Sequence, residues 1–358
     1  MMTGVFSAQL KGRRVLVTGH TGFKGGWLAI WLARLGAQVT GYSLPPSSQP
    51  ALFLDARVSE LVRHVEGDIR DFQHLASVWR QARPDIVFHL AAQSIVRTSY
   101  RDPLNTISTN SLGTAHILEL ARQSTEPVRL VLVTSDKCYE NLEWERGYAE
   151  DDRLGGRDVY SGSKAAAEIL ISSYRRSFFD GLGIVASARA GNVIGGGDWS
   201  ADRIVPDAIR ALLAERTIDV RNPAAVRPWQ HVLEPLSGYL LLACRLLDEH
   251  PEVSRRAADS WNFGPTIENT RTVQQLVSSL VSRWGSGDWV DKSTANQPHE
   301  AGLLRLDISK AVRDLQWSPR WGFDMAIAQT VDWYRAYNAG NDMRTVCERQ
   351  IADYEQAL

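Results

Sequence analysis

The chain has 358 residues, of which 44% are hydrophobic and 23% are charged, a composition typical of a globular protein with a substantial core. Its 40 basic and 41 acidic residues give a formal net charge of −1, and the lysines and arginines are scattered along the sequence. This pattern disfavours a nucleic-acid partner or attachment to a membrane surface, so we expect a small-molecule partner.

The cysteines and the apolar runs exclude further classes of protein. Cys138, Cys244 and Cys347 lie far apart and are odd in number, so they suggest neither a disulfide framework nor a metal site, and no metal is expected. No apolar run approaches the roughly 18 residues that cross a bilayer, and the first residues lack the pattern of a signal peptide. We therefore expect a soluble, cytoplasmic protein.

The first strongly patterned stretch, residues 15–28, contains an apolar run, three glycines and the start of a helical pattern. It predicts a strand, a phosphate-binding loop and a helix. Gly19 permits the sharp turn, Gly22 allows the backbone to approach a pyrophosphate, and Gly25 allows the helix to lie close to the strand. Because the N-terminus of that helix would face the anion, we expect a dinucleotide site here.

A second predicted strand, residues 38–42, ends beside the expected ribose position of the dinucleotide. Sites that prefer NAD usually carry an acidic residue at this point, whereas this chain has Ser43. No arginine stands directly there for the 2′-phosphate of NADP, although Lys24 and Arg57 could approach it. The residues alone therefore leave the choice between NAD and NADP open.

Four further apolar segments continue the alternation of strands and helices. A short third strand precedes Asp68. The next three strands are predicted at residues 85–92, 129–133 and 183–189. Such alternation favours a parallel sheet, so we predict an α/β fold with a Rossmann-type, doubly wound parallel sheet. The sheet would occupy residues 1–190, with later segments able to return to it, and residues 191–358 would mainly form a smaller C-terminal substrate-binding domain.

Polar residues at the end of the predicted fifth strand, residues 134–137, lie where an open α/β sheet binds its ligand. Tyr160 and Lys164 stand four residues apart at the start of a helix, so both side chains lie on one face. A tyrosine has a pKa of about 10, but a neighbouring ammonium and a cationic nicotinamide both favour the phenolate. Tyr160 is therefore a candidate general base.

The glycine spacing together with Tyr160 and Lys164 resembles the extended short-chain dehydrogenase/reductase superfamily. Further stretches are similar to the CDP-D-glucose 4,6-dehydratase family, and this resemblance spans about residues 13–321. They are residues 134–141, 190–199, 221–223, 227–232 and 261–265. The resemblance implies conversion of CDP-D-glucose to CDP-4-dehydro-6-deoxy-D-glucose and water by C4 oxidation, C5/C6 elimination and C6 reduction. It also implies NAD as the internally recycled cofactor and CDP as the nucleotide.

The same resemblance implies the catalytic roles. Tyr160 takes the proton of the C4 hydroxyl, Ser135 shares that proton relay, and Lys164 also holds the nicotinamide ribose. Asp136 protonates the departing C6 oxygen as a general acid. Lys137 departs from the acidic pair that is usual in nucleotide-sugar 4,6-dehydratases. It either takes the C5 proton as a neutral amine or only pairs electrostatically with Asp136.

Contacts to cofactor and substrate also follow from the resemblance. The implied cofactor contacts are Gly19, Thr21, Gly22, Phe23, Lys24, Gly25, Asp68, Ile69, Leu90, Ala91, Ala92, Asn110, Tyr160 and Lys164. The implied substrate contacts are Asn192, Asp198, Arg203, Arg227, His299 and Glu300. Among these, Asn192 can bring an amide to a diphosphate, and Arg203 and Arg227 can supply its countercharge.

The residues alone leave two other functions open. A nucleotide-sugar 4-epimerase would use the same Tyr160, Lys164 and glycine loop but would need no acid beside Ser135, so Asp136 argues against it. A non-catalytic dinucleotide-sensing protein would not need Tyr160 and Lys164 together. The resemblance further implies deoxysugar synthesis for bacterial lipopolysaccharide, and a homodimer through the helices that contain Asn110 and Lys164, or a homotetramer.

Overall fold

The computed structural model describes residues 2–293 and 303–358. Within these residues, the strands are β1 (Arg14–Thr18), β2 (Gln38–Ser43), β3 (Arg63–Glu66), β4 (Ile86–His89), β5 (Arg129–Val133), β6 (Val185–Ala190), β7 (Val193–Ile194), β8 (Ile218–Val220), β9 (Val226–Pro228), β10 (Gln230–His231), β11 (Ser260–Phe263), β12 (Thr270–Thr272) and β13 (Trp289–Asp291).

The α-helices of the same residues are α1 (Met2–Leu10), α2 (Phe23–Arg34), α3 (Leu52–Asp55), α4 (Phe72–Ala82), α5 (Val96–Arg101), α6 (Pro103–Ile107), α7 (Gly113–Gln123), α8 (Val159–Phe178), α9 (Ile204–Leu213), α10 (Leu233–Leu246), α11 (Pro251–Ala257), α12 (Val273–Trp284), α13 (Phe323–Asn338) and α14 (Met343–Ala357). Shorter helical turns span Val58–Glu60, Ser108–Leu112, Asp136–Cys138, Ile267–Asn269 and Ala311–Leu315.

Seven parallel strands form the central sheet in the order β11-β6-β5-β4-β1-β2-β3. Six of them have the order 3-2-1-4-5-6 of a doubly wound nucleotide-binding fold, which confirms the predicted fold class. The seventh strand, β11, comes from the second half of the chain. Its residues Trp261 and Phe263 are fully buried and lie beside Ala188 and Ala190 of β6. The second half of the chain therefore completes the sheet.

Helix α2 follows the glycine loop and is buried along most of its length. Trp27 and Trp31 are fully buried on this helix. The helix ends just before Gly36, whose φ of +80° is a left-handed conformation that favours glycine. The C-terminal helix α14 packs against α2, and the indole of Trp31 donates to Glu355 at 2.9 Å. The C-terminus thus supports the helix that follows the predicted phosphate loop.

The second half of the chain adds small sheets beside the central one. Strand β7 pairs with β10, β8 with β13, and β9 with β12. The loops between β6 and β9 form one wall of the cleft described below. Among the described residues, no helix is long and apolar enough to cross a bilayer. The same residues contain no group of three or more histidine, cysteine or acidic side chains that could hold a metal ion.

A buried carboxylate joins three segments of the second half. Glu234, at the start of α10, accepts hydrogen bonds from the backbone N–H groups of Arg320 and Trp321 and from the hydroxyl of Tyr354 in α14. Because the side chain is fully buried, desolvation raises the pKa of Glu234 to about 7. The carboxyl group therefore binds a proton more readily in the folded chain than in the unfolded chain.

We expect Glu234→Gln to be more stable than the wild type above pH 7, because an amide accepts the same backbone bonds without a buried charge. The wild type loses stability from about pH 4.5 to about pH 7, where its folded state binds more protons than its unfolded state. The gain in unfolding free energy of the variant over the wild type should grow by about 2–3 kcal/mol between about pH 5 and pH 8. Urea denaturation measures it, and a gain that is independent of pH would contradict this role.

Candidate active site

A cleft of about 1190 Å³ runs along the carboxyl ends of the central strands. Its walls come from the segments that follow β1, β2, β4, β5 and β6, which meet at one edge because the strands are parallel. The volume exceeds the roughly 300–1,000 Å³ of a pocket for one small molecule. The cleft therefore has room for more than one ligand.

The glycine loop between β1 and α2 lines one part of the cleft, and the surrounding backbone leaves no space for a side chain at two of its glycines. A Cβ on Gly19, which has φ +80°, would lie 2.7 Å from the backbone nitrogen of Ala91. A Cβ on Gly25 would lie 2.1 Å from the carbonyl oxygen of Gly19. Gly22 caps α2 without a side chain, so the first N–H groups of the helix can meet an anion. The loop fits the pyrophosphate of a dinucleotide.

At the end of β2, Ser43 occupies the position of the usual acidic residue. Its hydroxyl lies 2.8 Å from Thr21 Oγ1, which also donates to the carbonyl of Leu44. The carboxylate of Asp68 forms an ion pair with Arg70 at 2.5 Å, and this guanidinium lowers the pKa of Asp68. Hydroxyl groups and an ion pair therefore line the part of the cleft predicted for the adenosine.

The two cations that could have served a 2′-phosphate lie elsewhere. Lys24 lies near Asp136 and Arg203, whose charges act on its ammonium, and burial lowers the pKa of Lys24 to about 8. Arg57 forms an ion pair with Asp342 at 2.6 Å, where both side chains are nearly half exposed. The structure directs Lys24 toward the predicted catalytic residues and leaves Arg57 on the surface.

All but one of the predicted cofactor contacts line the cleft. Those that do are Gly19, Thr21, Gly22, Phe23, Lys24, Gly25, Asp68, Ile69, Leu90, Ala91, Ala92, Tyr160 and Lys164. The side-chain N–H groups of Asn110 donate instead to the carbonyl of Gln93 at 3.0 Å and to Ser163 Oγ at 2.9 Å. Asn110 is also almost fully buried, so its side chain supports the Gln93 loop and α8, and its direct contact with the cofactor stays a prediction.

Tyr160 and Lys164 lie in the first turns of α8. Asp158 caps this helix by accepting a hydrogen bond from the N–H of Ser161 at 2.9 Å, which sets where the helix begins. Both Tyr160 and Lys164 are buried, and Lys164 Nζ donates to the carbonyl of Val133 at 3.3 Å. The helix start therefore brings both side chains to the end of β5.

Burial controls the protonation of this pair. Desolvation raises the pKa of Tyr160 to about 12, against smaller lowering effects from the Ser135 hydroxyl and the Arg203 cation. Desolvation likewise lowers the pKa of Lys164 to about 8. In the protein alone, desolvation therefore outweighs the groups that favour the phenolate, and the predicted role of the cationic nicotinamide becomes the more important one. Tyr160 needs a further cation before it becomes a base near neutral pH.

Ser135, Asp136 and Lys137 form a short turn after β5. Ser135 Oγ accepts from the N–H of Lys137 at 3.2 Å and donates to Asp136 Oδ1 at 3.0 Å. Asp136 is buried, and its Oδ2, close to Gly191, has no hydrogen-bond partner in the described part of the chain. Lys137 Nζ lies 3.9 Å from Asp136 Oδ1, and its side chain is one third exposed. A buried, unpartnered carboxylate oxygen in a cleft can exchange a proton with a ligand.

The described residues predicted for substrate binding also line the cleft. The side-chain oxygen of Asn192 is buried without a partner among the described residues, and Arg227 is buried too. Asp198 pairs with Arg203 at 2.8 Å, and this guanidinium also donates to Ser94 at 3.0 Å. Asp198 thus holds Arg203 in position. His299 and Glu300 lie outside the described residues.

Several polar residues of the cleft were missed by sequence reasoning. Ser94 and Arg97 line it from one segment, and Arg157 and Arg221 from two others. No spacing in the sequence links these segments, so only the fold brings them together. The three arginines among them add positive charge to a cleft that already contains Arg203.

The strand order, the glycine loop and the buried Tyr160–Lys164 pair define a dinucleotide-binding α/β protein of the short-chain dehydrogenase/reductase class. Comparison with known proteins narrows this class. The chain belongs to the GDP-mannose 4,6-dehydratase family, whose model matches residues 16–330.

Individual relatives agree with this family. A CDP-glucose 4,6-dehydratase of Salmonella typhimurium is 47% identical, over 97% of this chain and 97% of that protein. A dTDP-glucose 4,6-dehydratase of Mycolicibacterium smegmatis is 29% identical, over 90% of this chain and 93% of that protein. The crystal structure of DesIV, a dTDP-glucose 4,6-dehydratase from Streptomyces venezuelae with NAD bound, matches with a TM-score of 0.76 at 25% identity, covering 92% of this chain and 99% of that one.

An epimerase has the same fold. The structure of epimerase Mth375 from Methanothermobacter thermautotrophicus matches with a TM-score of 0.80 at 24% identity, covering 96% of this chain and 98% of that one. At this identity the likeness concerns the fold, which hosts more than one reaction. The choice between dehydratase and epimerase therefore depends on the residues of the site.

Proposed function

We propose that this protein is an NAD-dependent nucleotide-sugar 4,6-dehydratase, a hydro-lyase that converts CDP-D-glucose to CDP-4-dehydro-6-deoxy-D-glucose and water. One observation carries the proposal: a buried Tyr160–Lys164 pair and the Asp136–Lys137 pair line the same cleft, beside a phosphate-binding loop. The first pair suits oxidation at C4, and the second suits removal of water across C5 and C6. The choice of CDP is supported by the 47% identical relative.

NAD is the dinucleotide that the site supports. When bound, NAD would supply an acceptor for the hydride of C4 and, once reduced, a hydride donor for C6, so that no net oxidation occurs. The cofactor's pyrophosphate would lie at the Gly19–Gly25 loop. Ser43 offers a hydroxyl to the ribose, and both Lys24 and Arg57 are engaged away from a 2′-phosphate. NAD is therefore favoured over NADP.

In the oxidation step, Tyr160 takes the proton of the C4 hydroxyl while the C4–H bond breaks and a ketone forms. Burial holds Tyr160 as a phenol in the protein alone, so the positive charge of the nicotinamide is needed to favour its phenolate. Ser135, whose hydroxyl hydrogen-bonds to the phenol and lowers its pKa, shares the proton. Lys164 holds the nicotinamide ribose from the same helix face.

In the elimination step, the ketone at C4 acidifies the C5–H bond. Asp136 gives a proton to the C6 oxygen, which leaves as water, while Lys137 as a neutral amine takes the C5 proton. A C5=C6 double bond results, and hydride return to C6 with proton return to C5 completes the product. The unpartnered Oδ2 of Asp136 supports this role, and a 4-epimerase would need no such acid.

We further propose a homodimer and a cytoplasmic role in deoxysugar synthesis for lipopolysaccharide. Helices α5 and α6 and the turn after them expose apolar side chains although they pack beside α8. They are Tyr100 (53% exposed), Leu104 (77%), Ile107 (45%) and Leu112 (50%). Clustered exposed apolar residues favour a protein–protein contact, here with a second copy of the chain. The three free, buried cysteines suit a reducing compartment.

Incubation of the purified protein and NAD with CDP-glucose, UDP-glucose, dTDP-glucose and GDP-mannose separately tests the reaction and the nucleotide. We expect the product of CDP-glucose alone to be lighter by one water, as read by mass spectrometry. Loss of water from another nucleotide sugar would retain the mechanism and overturn the CDP assignment. An isomer of unchanged mass with inverted C4 would instead identify a 4-epimerase.

Asp136→Asn should separate the two chemical steps, because an amide cannot supply the acid proton. With CDP-glucose, we expect the variant to reduce bound NAD, but its rate of forming dehydrated product should fall about 100-fold or more. Stopped-flow absorbance of the reduced nicotinamide and product analysis measure the two steps. Tyr160→Phe is the matched comparison and should reduce almost no NAD. Wild-type product formation by Asp136→Asn would remove Asp136 from the mechanism.

Leu104→Glu tests the dimer, since a charge on a buried interface leucine is costly. We expect light scattering to show the wild type at twice the mass of the chain and this variant shifted to the monomer. Leu54→Glu on α3, where the leucine is also exposed, is the control and should stay dimeric. A monomeric wild type, or a dimer unaffected by Leu104→Glu, would contradict this interface.

A further inference from the structure

The segment that carries Ser135, Asp136 and Lys137 is fixed at both of its ends by buried hydrogen bonds. At one end, Thr134 Oγ1 donates a short hydrogen bond to Glu168. At the other end, the hydroxyl of Tyr139 accepts from Arg189 at 2.7 Å and donates to Asn262 Oδ1 at 2.8 Å. The proposed elimination residues lie between these two anchors.

Both anchors are hydrogen-bonded to one buried ion pair. Glu168 of α8 and Arg189 of β6 are joined at 2.8 Å, with side chains only 1% and 3% exposed. Glu168 also accepts from Ser187 Oγ at 2.9 Å, and Arg189 also donates to the carbonyl of Glu150 at 2.9 Å. Because burial of two charges is costly, such a pair needs these additional bonds to be tolerated. The described contacts therefore form one connected polar network.

Glu168 also lies on the face of α8 that carries the residues proposed for C4 oxidation. Glu168 stands four residues after Lys164, which stands four residues after Tyr160, so all three lie on one side of α8. One end of the network thus belongs to the helix of the C4 oxidation. The other end belongs to the turn of the C5/C6 elimination.

We propose that Glu168 and Arg189 are positioning residues that fix the 135–137 turn relative to Tyr160 and Lys164. The ketone formed beside Tyr160 is then within reach of Asp136 and Lys137 without a rearrangement of the site. Misplacement of catalytic groups by about 1 Å can cost about 100-fold in rate, so such a brace matters for a reaction in two places on one sugar. This role rests on the dehydratase function proposed above.

Replacing either charge would leave the other buried and unpaired, which is strongly destabilising. The test therefore removes the two anchor hydroxyls instead, with Thr134→Val and Tyr139→Phe. Ser187→Ala is the matched control, since it removes another hydroxyl from the same Glu168 carboxylate but does not touch the 134–139 segment. Thermal unfolding of all three variants reports the loss of folded protein separately.

With NAD and CDP-glucose, we expect both anchor variants to slow elimination far more than NAD reduction, because the turn contributes Asp136 and Lys137 to elimination and only the relay hydroxyl of Ser135 to oxidation. Their formation of dehydrated product should fall about tenfold, and the steady-state fraction of reduced cofactor should rise. Ser187→Ala should keep the wild-type balance between the two steps. A loss of stability alone would lower both steps equally and would not change this balance.

Two results would overturn the positioning role. In the first, the anchor variants keep the wild-type ratio of NAD reduction to product formation, whatever their overall activity. In the second, Ser187→Ala changes that ratio as much as they do, so that the effect belongs to the stability of the pair and not to the turn. A wild-type protein that reduces NAD but releases no water would overturn the proposed function itself, and this is read before any variant is compared.

Discussion

Removal of ionisable groups from water at the carboxyl edge of the central sheet is the constraint on which the site depends. Desolvation raises the pKa of Tyr160 to about 12 and lowers the pKa values of Lys24 and Lys164 to about 8, so each group is shifted toward its neutral form. The protein alone therefore favours a phenol at Tyr160. The charges of the ligands oppose these shifts. A cationic nicotinamide favours the phenolate of Tyr160, and a diphosphate favours the protonated forms of Lys24 and Lys164. Binding and proton transfer are coupled through this shared desolvation.

The fold accommodates charge within this region only where a second charge or several hydrogen bonds meet it. Glu168 and Arg189 pair with each other and are bonded further by Thr134, Ser187 and Tyr139, while Arg189 Nε has no hydrogen-bond partner in the part of the chain that the structure describes. In contrast, the Oδ2 atom of Asp136 is left without a partner in the described residues. This difference distinguishes the side chains proposed to hold the turn from a carboxylate oxygen that is available to a ligand.

Sequence reasoning succeeded where a structure depends on neighbours along the chain. The glycine loop, six strands of the sheet and the Tyr160–Lys164 helix are local patterns, and the structure has them. It could not reveal contacts between residues distant in the chain: Asn110 bonds Gln93 and Ser163, which only the folded chain brings together. The position of β11 at the edge of the sheet and the ion pair of Asp198 with Arg203 are contacts of the same kind. The pKa of Tyr160 depends on burial, which residue spacing does not reveal.

Lys137, beside Asp136, affects where the protons needed for elimination can be held. A carboxylate beside an ammonium holds the same number of protons as a carboxylic acid beside a neutral amine. In the proposed mechanism, one proton moved from Lys137 to Asp136 would therefore convert the ion pair into the acid and the base that elimination needs, with none taken from solvent. At 3.9 Å the two atoms are too far apart for direct transfer, so a bridging water or a small movement of the exposed lysine must close the gap.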